Sequence, residues 1–189
     1  MTKILKINTK EIHIFDIDGC IFPAKNNNGK QIIPNEYGFK EIPAEIILDN
    51  MKSIKLFPKF VDFYKLITKS KPIEIYFITG RKKKDYLNIT LKQLSILKIK
   101  KNKDSLIFFP DEKILTRRSY YEFKLYNTLK IIIKDNSSSK INIYDDKYSY
   151  FSVLKNRLND IEINSINYNK INQPEYFWNL KYNEYKNFS

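Results

Sequence analysis

The sequence predicts an α/β protein built on a central, mostly parallel sheet, and three observations lead there. Short β-branched and aromatic runs bounded by Gly and Pro alternate with stretches of helical period. The leading run is apolar on both of its alternating faces, as strands are when helices cover a sheet above and below. Three of the runs end in carboxylates or in Thr-Gly-Arg. In open α/β sheets, ligands bind outside the carboxyl ends of the strands.

The first strand lies in the run Ile12-His13-Ile14-Phe15-Asp16-Ile17-Asp18-Gly19-Cys20, bounded by Gly19 and carrying Asp16 and Asp18 at its carboxyl end. Residues 19–56 follow it with Asn26-Asn27-Asn28-Gly29-Lys30, Pro34-Asn35 and Gly38, turn signals that read as a flap. Pro43 at a first-turn position opens a short helix from Ala44 to Met51. Pro58 opens a longer one through Lys69, with Phe60, Phe63, Tyr64 and Ile67 at helical spacing. Ile73 to Ile78 is the second strand and ends in Thr79-Gly80-Arg81. A helix from Lys84 to Leu97 follows, its buried stripe expected at Leu87, Leu91 and Leu94.

Leu106 to Phe109 is the third strand, closed by Pro110. Ser119 is expected to start a helix through Ile133, with Phe123, Tyr126, Leu129 and Ile133 facing the core. Asn136-Ser137-Ser138-Ser139 is a solvated loop. Lys140 to Tyr144 is the fourth strand and ends in Asp145-Asp146; a helix from Tyr148 to Leu158 and a strand from Ile161 to Ile166 complete the pattern. The tail, residues 169–189, holds a helix started by Pro174, with Trp178, Tyr182 and Tyr185 on one side. Those aromatics, interleaved with Lys170, Lys181 and Lys186, could stack on bases, but aromatics at helical spacing are more often core, which is the reading preferred for them.

A chain of 189 residues suits one domain and can bury a core without metals or disulfides as staples. Its 42% hydrophobic and 15% aromatic content argues against disorder, and no apolar run is long enough for a bilayer. Met1 to Leu5 lacks a secretory apolar region, and a single cysteine makes no disulfide framework, so a cytoplasmic, reducing location is expected. Cys20 reads as a small packed residue, since nothing orients the lone His13 toward it. The net charge of +13 favours a polyanionic partner. Lys, Asn and Ile are abundant together, as AT-rich coding produces, so the charge alone weighs modestly.

Asp16 and Asp18, two residues apart, emerge on one side of an extended chain. Like charges so close repel unless a cation or shared proton intervenes, and Mg²⁺, a hard ion that takes one or two carboxylates plus phosphate oxygens, is the expected cofactor. With Thr79-Gly80-Arg81 and Asp145-Asp146 the chain then presents three polar strand ends of a particular kind. In this it resembles the haloacid dehalogenase-like (HAD) superfamily of phosphohydrolases, over residues 11–166. The family's signatures are matched by Asp16-Ile17-Asp18-Gly19, by Thr79, by the helix lysine Lys124 within Tyr121-Glu122-Phe123-Lys124, and by Asp145-Asp146.

The resemblance implies a three-layer Rossmann-like fold with a minimal cap, here only the flap, in a phosphatase domain spanning residues 1–168. It implies that Asp16 attacks phosphorus to form an aspartyl-phosphate, and that Asp18 protonates the leaving oxygen, its pKa raised by neighbouring acids. It also implies Mg²⁺ held by Asp16, the Asp18 main-chain carbonyl, Asp145 and Asp146. Thr79 and Gly80 would bind the phosphoryl oxygens, Lys124 would neutralise the remaining charge, and Arg81, with Lys82 to Lys84 behind it, would contact substrate.

A minimal cap and a basic chain together point to a phosphorylated nucleic-acid end as substrate. Tyr120-Tyr121-Glu122-Phe123-Lys124 and Ile143-Tyr144-Asp145-Asp146-Lys147 also resemble the branch named for Swiss Army Knife RNA repair proteins, although Lys147 stands where that branch usually has arginine. No Gly-x-x-x-x-Gly-Lys-Ser/Thr loop occurs, which excludes a kinase half. A nucleotidase or small-metabolite phosphatase, and a catalytically silent RNA-binding domain, are the alternative readings.

Overall fold

The computed structural model describes residues 10–24, 44–69, 73–98, 105–113, 115–135, 139–146, 151–155, 161–165 and 173–188. The turn signals from Asn26 to Pro43, together with Lys147 and Lys170, lie outside these residues. Five strands form one sheet: β1 (Glu11–Asp16), β2 (Ile73–Lys82), β3 (Leu106–Phe109), β4 (Lys140–Asp145) and β5 (Ile161–Ser165). Their order is β3-β2-β1-β4-β5 and every pair is parallel, so the expected parallel sheet is the one found. Among the described residues six α-helices accompany it: α1 (Ala44–Lys52), α2 (Pro58–Ile67), α3 (Lys83–Leu94), α4 (Arg117–Asp135), α5 (Ser152–Lys155) and α6 (Gln173–Phe188).

Both faces of β1 are buried because helices cover the sheet on either side. On one face Phe15 and Phe77 meet Phe60, Phe63, Tyr64 and Ile67 of α2 and Trp178 of α6. On the other, Ile12, Ile14, Ile78, Ile141 and Ile143 meet Tyr120 and Ile131 of α4 and Leu154 of α5. The result is a three-layer Rossmann-like α/β architecture. Each fully buried large apolar side chain contributes about 1.5–3 kcal/mol. A satellite of Ile47, Met51 and Tyr86 joins α1 to α3.

Local chemistry sets the boundaries. β1 ends at Asp16, the first of the two aspartates expected at its carboxyl end, because the Ile17 carbonyl accepts from the Ile21 and Phe22 N–H groups and closes a turn in which Gly19 takes a φ of 80°. α4 starts two residues before the expected Ser119. Thr116 Oγ1 accepts the Ser119 N–H at 3.1 Å while Ser119 Oγ accepts the Thr116 N–H at 2.9 Å, a reciprocal cap that places Ser119 inside the helix.

Two helix stripes are corrected. In α3, Leu91 is 45% exposed and the buried positions are Tyr86, Thr90 and Leu94. In α4, Tyr126 and Ile133 point to solvent while Tyr120, Lys124, Thr128 and Ile131 are buried. Both helices turn polar residues inward.

The tail is not an appendage. Trp178 is fully buried, Tyr182 and Tyr185 pack against the same cluster, and Lys181 pairs with Glu162 at 2.7 Å. Glu175 of α6 accepts the Lys59 N–H at 3.1 Å, satisfying an open donor in the first turn of α2. Among the described residues no helix is long and apolar enough to cross a membrane.

Candidate active site

The chain leaves β1 toward β2 and leaves β4 toward β5, in opposite directions across the sheet. The crevice between these two neighbours is therefore the topological switch point, where open α/β sheets bind ligands. Asp16 ends β1, Asp145 ends β4 and Asp146 follows it. Each of the three offers a carboxylate oxygen, and these oxygens lie within 4.8 Å of one another. Lys124 reaches in from α4, with Nζ 2.8 Å from Asp16 Oδ1 and 2.5 Å from Asp145 Oδ2. Residues far apart in sequence thus meet in one buried cluster.

Tyr120 belongs to it as well. It lies four residues before Lys124, on the same helix face. Its hydroxyl donates to Asp16 Oδ1 at 3.2 Å and its ring centroid lies 4.6 Å from the Lys124 ammonium, a cation–π contact. Sequence reasoning gave Tyr120 no task of its own; the i, i+4 relation to Lys124 is the signal that could have found it. Gly80 belongs here through its lack of a side chain. A Cβ at that position would meet the Tyr120 ring at 3.1 Å.

Thr79 is fully buried, and its Oγ1 accepts the Arg81 main-chain N–H at 3.2 Å. Pairing with β3 jumps from Thr79 to Lys82, so Gly80 and Arg81 form a bulge. Bulges re-aim side chains, and this one accompanies an inward Arg81. Its guanidinium is 1% exposed and grips Asp18 in bidentate fashion, Nε to Oδ2 at 2.8 Å and Nη2 to Oδ1 at 2.5 Å. Nη1 donates to Thr90 Oγ1 and Gln93 Oε1, both at 2.8 Å, and Gln93 Nε2 donates onward to the Met51 carbonyl at 2.9 Å.

Sequence reasoning offered Arg81 to the substrate; the structure commits four of its bonds to protein partners. Thr90 and Gln93 escaped notice because a polar residue on an amphipathic helix reads as solvent-facing.

Burial pushes the Asp16 carboxyl well above its ordinary pKa, Lys124 opposes the shift, and Asp145 and Asp146 add to it. Burial, helped by Asp16, Asp145 and Asp146, also pushes the Cys20 thiol well up, which leaves it protonated and unreactive. The Asp16, Asp145 and Asp146 oxygens are hard donors, and the ammonium already seated between Asp16 and Asp145 shows that the pair accepts a cation. The residues present fit a small hard divalent ion.

Strand order, switch point and buried acid–lysine cluster define the class. This is a Rossmann-like α/β fold, with its polar strand ends converging on one crevice. The crystal structure of a class C acid phosphatase from Bacillus anthracis with tungstate bound is similar, with a TM-score of 0.50 at 15% identity, covering 97% of this chain and 81% of that one. At that identity the likeness establishes the fold. No protein-family model and no curated protein matches the sequence.

Proposed function

We propose that this protein is a Mg²⁺-dependent phosphohydrolase that works through an aspartyl-phosphate and removes terminal phosphates from RNA or DNA ends. The observation that carries the reading is the seating of Lys124 between Asp16 and Asp145, in a crevice that Thr79 and Gly80 also border. A phosphate ester repels nucleophiles by its own charge, so catalysis is largely positioning and neutralisation. Tungstate, bound by the Bacillus anthracis phosphatase, is a tetrahedral oxyanion like phosphate.

Asp16 attacks phosphorus as its carboxylate, and the bond from phosphorus to the leaving oxygen breaks as Asp18 delivers a proton to that oxygen. Asp18 then takes a proton from water, the water oxygen attacks phosphorus, and the Asp16 carboxylate is released. A carboxylate has about four lone-pair sites, so the Arg81 grip leaves Asp18 room for the reacting oxygen. Lys124 balances charge on the phosphoryl oxygens, and Thr79 Oγ1 and the Gly80 N–H orient them. Asp16, Asp145, Asp146 and the Asp18 carbonyl would hold Mg²⁺, which supplies further charge neutralisation.

The preference for polymer ends draws support from the net charge of +13 and from exposed Lys83 and Lys84 just beyond Gly80 and Arg81. A 3′-phosphorylated oligonucleotide incubated with the protein and Mg²⁺ is expected to release phosphate, and Asp16→Asn to reduce the rate to background. Release at the wild-type rate in that variant rejects the mechanism. Faster turnover of mononucleotides than of oligonucleotides selects a nucleotidase instead.

A further inference from the structure

Trp178 is the chain's single tryptophan. It is fully buried although it lies beyond residues 11–166, the stretch over which the family resemblance runs. Aromatic packing accounts for the position of its ring, whose centroid lies 4.8 Å from Phe60, 5.4 Å from Phe63 and 5.3 Å from Tyr144. Packing does not account for the direction of its polar edge. Nε1 donates to the Cys20 carbonyl at 3.0 Å.

Cys20 belongs to the turn that carries Asp18 away from β1. Inside that turn the Ile17 carbonyl accepts from Ile21 at 3.0 Å and Phe22 at 3.1 Å, and Gly19 donates to the Phe22 carbonyl at 2.9 Å. Two further carbonyls of the turn are held from outside. The Phe57 N–H, just before α2, donates to the Ile21 carbonyl at 3.1 Å, and Trp178 takes that of Cys20. The two holders are themselves tied, because Glu175 of α6 accepts the Lys59 N–H of α2. The turn is thus clasped by two joined helices.

We propose that Trp178 is a positioning residue: its indole N–H, through the Cys20 carbonyl, fixes the turn that sets the reach of Asp18 toward the reacting oxygen. The inference rests on the role given to Asp18 above. Near-attack geometry is steep in distance, and displacement by about 1 Å can reduce a rate by up to about a hundredfold. The α6 helix therefore contributes to the rate as well as to the core.

Trp178→Phe keeps an aromatic ring and deletes the donor. It is expected to lower kcat about tenfold with KM within about twofold, and to speed amide hydrogen exchange at Ile21 and Phe22 while leaving β2 and β3 unchanged. Phe63→Leu, taken from the same cluster but not bonded to the turn, is expected to lower the melting temperature while leaving kcat and turn exchange alone. Unchanged kcat or unchanged turn exchange in Trp178→Phe overturns the proposal, as does an equal loss of kcat in Phe63→Leu. Should Trp178→Phe not fold, benzothienylalanine at position 178 preserves the indole shape without its N–H and is read in the same way. A wild-type protein that hydrolyses no phosphoester defeats the phosphatase reading by itself, and the exchange measurement still decides whether Trp178 holds the turn.

Discussion

A guanidinium buried beside a carboxylate contributes to a fold only when both ions find geometrically good partners. Arg81 meets that condition with four donated bonds, to both Asp18 oxygens, Thr90 and Gln93. Lysine cannot reproduce it, because an ammonium on a flexible stem is a point charge that cannot span two carboxylate oxygens in a plane while reaching α3. Arg81→Lys is therefore expected to lower kcat while KM stays near the wild-type value. Arg81→Leu, which strands the Asp18 carboxylate, is expected to destabilise by about 3–5 kcal/mol in urea denaturation. A raised KM at unchanged kcat in Arg81→Lys would instead mark a residue that binds substrate.

At the scale of elements, the seam between β1, β4 and α6 is closed by a polar knot around His13. Its Nδ1 lies 3.2 Å from Tyr144 Oη, and its Nε2 lies 3.2 Å from Glu11 Oε2 and 3.1 Å from Tyr185 Oη. Burial lowers the His13 pKa below its ordinary 6.5, with Glu11 and Glu162 opposing and Lys140 reinforcing the shift. The unfolded chain therefore takes up a proton that the folded chain refuses. Stability is full above about pH 6.5 and is lost as pH falls toward the depressed folded value. The melting temperature is expected to hold from about pH 8 to 7 and to begin falling as pH drops through about 6.5, the ordinary histidine value and above the range where ordinary carboxylates titrate. Since His13 is the only histidine, His13→Gln is expected to flatten that fall, and an unchanged slope in the variant would locate the loss elsewhere.

The same elements show what a sequence can reveal. The α2 stripe Phe60, Phe63, Tyr64 and Ile67 was legible because every inward residue is apolar or aromatic. The α3 and α4 stripes were legible in part: Leu94, Phe123 and Leu129 pack inward as expected, but Thr90, Lys124 and Thr128 face inward too, where helical periodicity expects apolar residues. Asp16, Asp18, Thr79 and Asp145 were readable as polar punctuation at strand ends. Arg81 and Trp178 make long-range contacts that no local pattern encodes, whereas Tyr120 was within reach only through its i, i+4 relation to Lys124.

For the whole molecule the governing quantity is the net charge of +13 and its distribution near the crevice. Lys83 and Lys84 are exposed at the start of α3, and Lys113 and Arg118 are exposed beyond β3. The two loops are fastened together where Asp111 Oδ1 accepts the Lys84 N–H at 3.0 Å. Both lie at the carboxyl ends of β2 and β3, the edge of the sheet that also carries Thr79 and Gly80. A polymer whose terminal phosphate enters the crevice would run its next phosphates over this rim and displace their counterions. Its kcat/KM should then fall linearly with salt on logarithmic axes, with a slope of about 0.7 for each single-strand phosphate contacted. A mononucleotide lacks those further phosphates and is expected to show a shallower slope. Replacing Lys83 and Lys84 with serine should flatten the oligonucleotide slope toward the mononucleotide one while leaving mononucleotide turnover unchanged. Equal slopes for both substrates in the wild-type protein would mean that the rim carries no polymer, and the site would be a phosphatase of small molecules that happens to sit on a basic protein.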